Sequence, residues 1–241
     1  MKKAIIIGAS SGLGNEVSRL LLEQGWNLGV AARRLEPLER LRELAPERVH
    51  TQALDVTRDD ATDALQELID KVGGMDLLFY ASGVGNHNME LEPTIELKTV
   101  TTNGLGFTRM IGAAFRYMAA HGGGHIAAIS SIAGTKGLGA APSYSATKAF
   151  QGTYLQALEQ QANMRRLNIT ITDLRPGFVA TALLGDNPKY PMLLDTKKVA
   201  REMVRAVNSH KHVHVIDWRW RITTALWRRL PRWLWRRLNV K

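Results

Sequence analysis

Lys3-Ala4-Ile5-Ile6-Ile7-Gly8-Ala9-Ser10-Ser11-Gly12-Leu13-Gly14 opens the chain, and a helical pattern follows through Leu22. Residues 4–7 form a short apolar run of the kind that is buried on both faces of a parallel sheet. Strand, glycine turn and helix in that order suit a dinucleotide. Glycine accepts positive φ and has no Cβ, so a pyrophosphate can approach the amides at the positive end of the helix. The spacing is Gly-x-x-x-Gly-x-Gly rather than Gly-x-Gly-x-x-Gly, and a tight turn without ligand would use the same glycines.

Working outward, apolar runs recur at 28–31, 49–54, 77–80, 126–129 and 169–174, separated by helical periodicity. This alternation predicts an α/β fold: a Rossmann-type, doubly wound parallel sheet of about seven strands with helices on both faces. The length of 241 residues suits one such domain, and no linker or repeat divides it. We therefore expect a single domain over residues 1–217, followed by a C-terminal extension over 218–241. The absence of cysteine excludes disulfides and thiol catalysis. No leader pattern precedes the first strand, so a cytoplasmic location is expected. The sequon Asn168-Ile169-Thr170 begins a predicted buried strand and is discarded on that ground.

The chemistry is carried by Tyr144 and Lys148, four residues apart and so on one helix face, with Ser131 thirteen residues before the tyrosine. A neighbouring ammonium favours phenolate, which would bring the tyrosine's proton exchange toward working pH. Tyr144 then serves as general acid or base, and the Ser131 hydroxyl can steady an alkoxide developing on a substrate carbonyl. Tyr-x-x-x-Lys alone arises by chance in many helices, so its weight comes from the glycine turn that accompanies it.

Together these motifs resemble the short-chain dehydrogenase/reductase family, in its compact bacterial type, from residue 1 to about residue 215. The resemblance implies that Tyr144 exchanges the proton, that Lys148 lowers its pKa and holds the nicotinamide ribose, and that Ser131 orients substrate. It implies a fourth catalytic residue, Asn103, holding a water that links the lysine to solvent. Cofactor contacts are implied for Gly8, Ser10, Ser11, Gly12, Leu13 and Gly14 in the turn and for Asp55 and Val56 beside the adenine. They are also implied for Ser82 and Gly83, for Tyr144 and Lys148, and for Pro176, Gly177, Val179 and Thr181 near the carboxamide. After the fourth strand the family usually has Asn-Asn-Ala-Gly. Here the chain reads Tyr80-Ala81-Ser82-Gly83, so a different hydrogen-bond arrangement is expected there.

The second strand ends in Ala32-Arg33-Arg34 with no acidic residue to receive the adenosine ribose hydroxyls. Two guanidiniums suit a ribose 2′-phosphate, so NADP(H) is expected over NAD(H), although both arginines could simply solvate a loop. The segment with Asn187, Pro188, Pro191, Met192, Leu193 and Leu194 would cover the pocket. Its apolar centre fits either a hydrophobic carbonyl or alcohol substrate or a lid that packs closed. His210, His212 and His214 alternate at strand period, but no acidic ligand lies near them, and a solvated edge strand accounts for them without metal.

The extension holds Trp218, Trp220, Trp227, Trp233 and Trp235, eight cations and no acidic residue, and thus most of the net charge of +10. Ile222, Leu226, Leu230, Leu234 and Leu238 repeat every four residues as one apolar stripe, with Pro231 expected to bend it. A basic amphipathic helix of this kind fits an anionic membrane surface, at the inner face of a membrane, and is too short and polar to span one. It equally fits packing against the enzyme or a partner subunit, and less well nucleic acid, which nothing else in the chain supports. The expected activity is NADP(H)-dependent interconversion of a carbonyl and a secondary alcohol. The resemblance implies a homodimer or tetramer. A catalytically silent dinucleotide-binding sensor, or a membrane-surface interaction protein, is the alternative.

Overall fold

In the computed structural model, which describes residues 1–182, 184 and 190–240, seven parallel strands form one sheet in the order β3-β2-β1-β4-β5-β6-β7. The strands are β1 (Lys3–Ile7), β2 (Asn27–Ala32), β3 (Val49–Ala53), β4 (Leu77–Tyr80), β5 (Gly124–Ile129), β6 (Ile169–Pro176) and β7 (Val213–Ile216). The helices are α1 (Gly12–Glu23), α2 (Glu36–Arg42), α3 (Ala61–Val72), α4 (Pro93–Val100), α5 (Phe107–Ala120), α6 (Pro142–Met164), α7 (Thr196–Asn208), α8 (Trp218–Arg229) and α9 (Arg232–Trp235). The direction of chain progression reverses between β1 and β4. The crevice at the carboxyl ends of those strands is the place where such sheets take ligands.

Alternate side chains of one strand point to opposite faces, and the core divides accordingly. Ala4, Ile6, Val30, Phe79 and Leu174 pack against α1 and α7. Ile5, Ile7, Leu78, Tyr80, Ile126 and Ile171 pack against α3, α5 and α6. Strands buried on both sides read as unbroken apolar runs for this reason. The predicted strand 49–54 stops one residue early at Ala53, and Leu54 turns into the crevice.

The glycine turn is tightly wound. Gly8 and Gly12 have φ of +91° and +54°, and a Cβ on Gly14 would fall 2.2 Å from the Gly8 carbonyl oxygen. Alanine at position 14 must therefore push strand end and helix start apart. We expect Gly14→Ala to lose about 1–3 kcal/mol of stability, as overpacking does. Thermal unfolding of the two proteins checks this, and an unchanged midpoint would contradict the close approach.

The histidines do not share a strand face. Only His214 lies in β7, where its Nε2 sits 2.9 Å from Glu202, while His212 pairs with Glu159 and His210 stacks on His125 at 5.1 Å. No described helix is long and apolar enough to cross a membrane.

The extension folds back onto the domain. Asp217 accepts from the Arg219 amide at 3.1 Å and starts α8, while Pro231 separates α8 from α9. The inward face is not the four-residue stripe. Trp220 and Thr224 are buried and Trp227 packs against the core, whereas Ile222, Leu226 and Leu238 are exposed. Lys136 Nζ donates to the Leu230 carbonyl at 2.9 Å, and Trp235 Nε1 donates to the Gly137 carbonyl at 2.8 Å, which ties the extension to the loop after Ser131.

Candidate active site

A cleft of about 940 Å³ opens at the carboxyl ends of the strands. Its floor is the glycine turn from Gly8 to Gly14. One end is bounded by Arg33, Arg34, Asp55 and Val56, the middle by Ser82 and Gly83, and the other end by Pro176, Gly177, Val179 and Thr181. Ser131, Tyr144 and Lys148 also line it, so one cavity contains every candidate cofactor contact and three of the four candidate catalytic residues.

The parts fit a dinucleotide phosphate. No side chain caps the amino end of α1, so its first amides are available to an anion. Arg33 and Arg34 are exposed and make no ion pair among the described residues. Burial pushes the Asp55 carboxyl up, but hydrogen bonds from the Thr57 amide and hydroxyl, at 3.0 and 2.7 Å, together with the field of Arg33, hold it below the usual carboxylate range.

At the other end, α6 places Tyr144 and Lys148 one turn apart, with the ammonium 5.8 Å from the centre of the phenol ring. The lysine's hydrogen bonds go elsewhere, to the Ile129 carbonyl at 2.9 Å and to Gln151 Oε1 at 3.0 Å. Burial lowers its pKa to about 8, against the pull of Asp173. Burial also pushes the Tyr144 phenol above its ordinary value, with the Ser131 hydroxyl acting in the opposite direction. The net direction is thus upward, opposite to the lowering by lysine that the four-residue spacing suggests. Ser131 accepts from the Ala133 amide at 3.0 Å, which fixes its oxygen at the end of β5. Gly85 lies flat on the tyrosine ring, where a Cβ would come within 2.5 Å of Cδ2.

Asn103 stands behind the cleft. Its side chain is spent on Val84, accepting from the amide at 2.9 Å and donating to the carbonyl at 2.7 Å, with Thr147 Oγ1 at 3.3 Å. It sits in a six-residue π-helical turn, Thr101–Gly106, which carries α4 into α5. The link between Lys148 and Asn103 is a side chain that spacing did not single out. Gln151 is fully buried, accepts from the lysine and donates from Nε2 to the Asn103 carbonyl at 2.9 Å. One turn beyond the lysine on α6, it is the only polar residue among Ala149, Phe150, Gln151 and Gly152. A glutamine at that helical offset is the signal that could have found it.

Tyr80, where the resemblance leads one to expect asparagine, is buried edge-on to Phe107 at 5.2 Å. Its hydroxyl, near Ser82, has no partner within hydrogen-bond distance, and burial pushes its pKa up. Of the segment expected to cover the pocket, Asn187 and Pro188 lie outside the described residues. Pro191 lines the cleft, Leu194 is buried beside Val179, and Leu193 is exposed.

Residues 2–190 match the family described as short chain dehydrogenase. The chain belongs to the short-chain dehydrogenase family. It is 31% identical over 237 residues to an uncharacterised oxidoreductase of Myxococcus xanthus, covering 95% of this chain and 93% of that one. Among solved structures, a short-chain dehydrogenase from Sphingobium yanoikuyae in complex with NADPH superposes with a TM-score of 0.82 at 20% identity, covering 96% and 97% of the two chains. A 3-ketoacyl-(acyl-carrier-protein) reductase from Brucella melitensis complexed with NADH gives 0.80 at 20% identity, covering 90% and 96%. At such identities the two structures establish the shared fold. The chain is an oxidoreductase of that family.

Proposed function

We propose that this oxidoreductase interconverts a carbonyl compound and its secondary alcohol, with NADP(H) as cofactor in preference to NAD(H). The observation that carries the reading is the convergence of Ser131, Tyr144 and Lys148 on the cleft that also holds the glycine turn and two exposed arginines, Arg33 and Arg34. The dinucleotide supplies or accepts the hydride. Ser131 and Tyr144 hydrogen-bond the substrate oxygen, and the phenol gives its proton to that oxygen in reduction or takes it in oxidation. Lys148 holds positive charge beside the phenol, and Gln151 holds Lys148. Asn103 braces the loop at Val84. The substrate is hydrophobic, since Leu138, Ala140, Ala141, Phe178, Tyr190 and Pro191 line the same cleft as the tyrosine. Oxidation of NADPH and of NADH across a panel of ketones and aldehydes tests the reading. Tight NADPH binding with no turnover of any carbonyl would favour the sensor instead.

Lysine chemistry gives a pH prediction. Lys148 loses its proton as pH rises through about 8, so activity should fall above that pH. Gln151 Oε1 accepts from the charged form and favours it. Gln151→Leu should therefore move the basic limb of kcat/KM to lower pH and cost about tenfold in rate. Gln151→Glu should move the limb upward. A basic limb that stays in place in both variants would reduce Gln151 to packing.

Two interactions belong to the same reading. Leu97, Val100, Leu105 and Phe150 are exposed on α4, the π-helical turn and α6, an apolar surface that supports a homodimer built on these helices. The outward face of the extension exposes Trp218, Ile222, Leu226, Trp233 and Leu238 among arginines 221, 228, 229, 232, 236 and 237, with no acidic residue over 218–240. A second copy docked there would set arginine against arginine, so charge complementarity favours an anionic bilayer. Sedimentation with phosphatidylglycerol vesicles, but not phosphatidylcholine vesicles, is expected. Equal pelleting by Leu226→Glu and wild type would contradict it.

A further inference from the structure

The family match ends at residue 190, yet Trp220, Trp227 and Val240 line the cleft. The two tryptophans extend a run of aromatic rings. His87 lies 6.2 Å from Tyr190, Tyr190 4.7 Å from Phe178, Phe178 5.5 Å from Trp220, and Trp220 6.2 Å from Trp227. All five rings line the cleft. The charged groups that would meet a cofactor phosphate or ribose, Arg33, Arg34 and Asp55, stand at the ends of β2 and β3, across the sheet from β6 and β7. The cleft is therefore charged at one end and aromatic at the other. The hydrogen bonds from Lys136 and from Trp235 to Gly137 hold this aromatic wall against the loop that follows Ser131.

The two tail tryptophans differ in their part. Trp220 is 2% exposed and so close to the chain that a Cβ on Gly177 would fall 2.1 Å from its Nε1, so it is a fixed support. Trp227 is only partly buried and stands beyond it, between Trp220 and Trp235. A ring held by other rings is a low-entropy surface for another flat apolar group, because offset and edge-on contacts are both open to it.

We propose that the C-terminal extension is part of the substrate site, in which Trp227, supported by Trp220 and joined by Phe178 and Tyr190, binds the planar body of an aryl or conjugated ketone. The proposal rests on the carbonyl-reducing reading for its chemistry, but the binding surface can be measured without it. The ketone oxygen meets Tyr144 and Ser131 while the ring system lies along the aromatic wall. A compact aliphatic ketone reaches the same two hydroxyls and leaves the wall unused. The extension thus selects substrate by shape and unsaturation, independently of what its outer face touches.

The experiment compares acetonaphthone with butanone in the full chain and in Trp227→Ala. Binding is followed by calorimetry on the NADP⁺-loaded protein, and turnover by NADPH oxidation. In Trp227→Ala, Kd and KM for acetonaphthone should rise about tenfold, the loss of one aromatic pair with its buried area, and KM for butanone should stay within about twofold. NADP⁺ affinity should not change, and Trp227→Phe should recover most of the loss. Should Trp227→Ala not fold, as judged by circular dichroism, Tyr190→Leu probes the same wall. Acetonaphthone that binds in a Trp227-dependent way without being reduced would uphold the site and sink the redox reading. Butanone turnover without acetonaphthone binding, equal losses for both ketones, or no binding of acetonaphthone at all would overturn the site.

Discussion

Tyr144→Phe should abolish carbonyl reduction, by about 10²–10⁴-fold in kcat, while leaving NADPH affinity within about twofold. The substitution removes one oxygen and keeps the ring that Gly85 packs against, so the local fold has no reason to change. What disappears is the only hydroxyl besides Ser131 among the candidate catalytic residues facing the cleft. Lys148 cannot take over. Its ammonium donates to the Ile129 carbonyl and to Gln151 Oε1, and in the proposed reading it supplies charge beside the phenol rather than the transferred proton. Because burial raises the phenol's pKa, the wild-type tyrosine stays protonated through neutral pH and is ready to donate in the direction of reduction. Single-turnover measurement with pre-bound NADPH separates chemistry from release. Retention of more than about a tenth of the wild-type rate would show that the proton comes from elsewhere, water or Ser131, and would break the assignment of Tyr144.

How much could be read in advance follows from how local each signal is. Strands buried on both faces announce themselves as apolar runs, so the sheet was legible from residues such as Ile5 to Ile7 and Leu77 to Tyr80. The glycine turn and the Tyr144–Lys148 pair are likewise contained in short continuous stretches of chain. Gln151 was only half legible: its offset from Lys148 is visible in the sequence, but its other partner, the Asn103 carbonyl, lies 48 residues away. The C-terminal extension shows the limit of periodicity. Ile222, Leu226, Leu230, Leu234 and Leu238 have a regular spacing, but Pro231 interrupts the helix between the third and fourth of them, and Ile222, Leu226 and Leu238 face outward. Trp220, Thr224 and Trp227 form an equally helical row, and this row is the one that meets the enzyme. Two apolar rows on one helix cannot be ranked without knowing the surface that receives them.

Arg33→Asp combined with Arg34→Asp should invert the cofactor preference, with the ratio of kcat/KM for NADPH over NADH falling by about 10²–10⁴-fold. Each charge-assisted contact to a 2′-phosphate is worth about 1.5–3 kcal/mol, so loss of two gives that range for NADPH alone. Both guanidiniums are exposed at the end of β2 and line the cleft, so their removal should cost the fold little. The new carboxylates would accept hydrogen bonds from the free ribose hydroxyls of NADH and would repel a 2′-phosphate. The two effects therefore act on the ratio in the same direction. Asp55 reports the same field by another route, since Arg33 helps to hold its carboxyl below the usual range, and that contribution is lost in the variant. Salt provides the internal control, because a phosphate contact on an exposed guanidinium is screened. Wild-type affinity for NADPH should weaken with ionic strength, and that of the double variant for NADH should hardly respond. A wild-type protein that prefers NADH, or a double variant with an unchanged ratio, would mean that the two arginines only solvate the loop after β2.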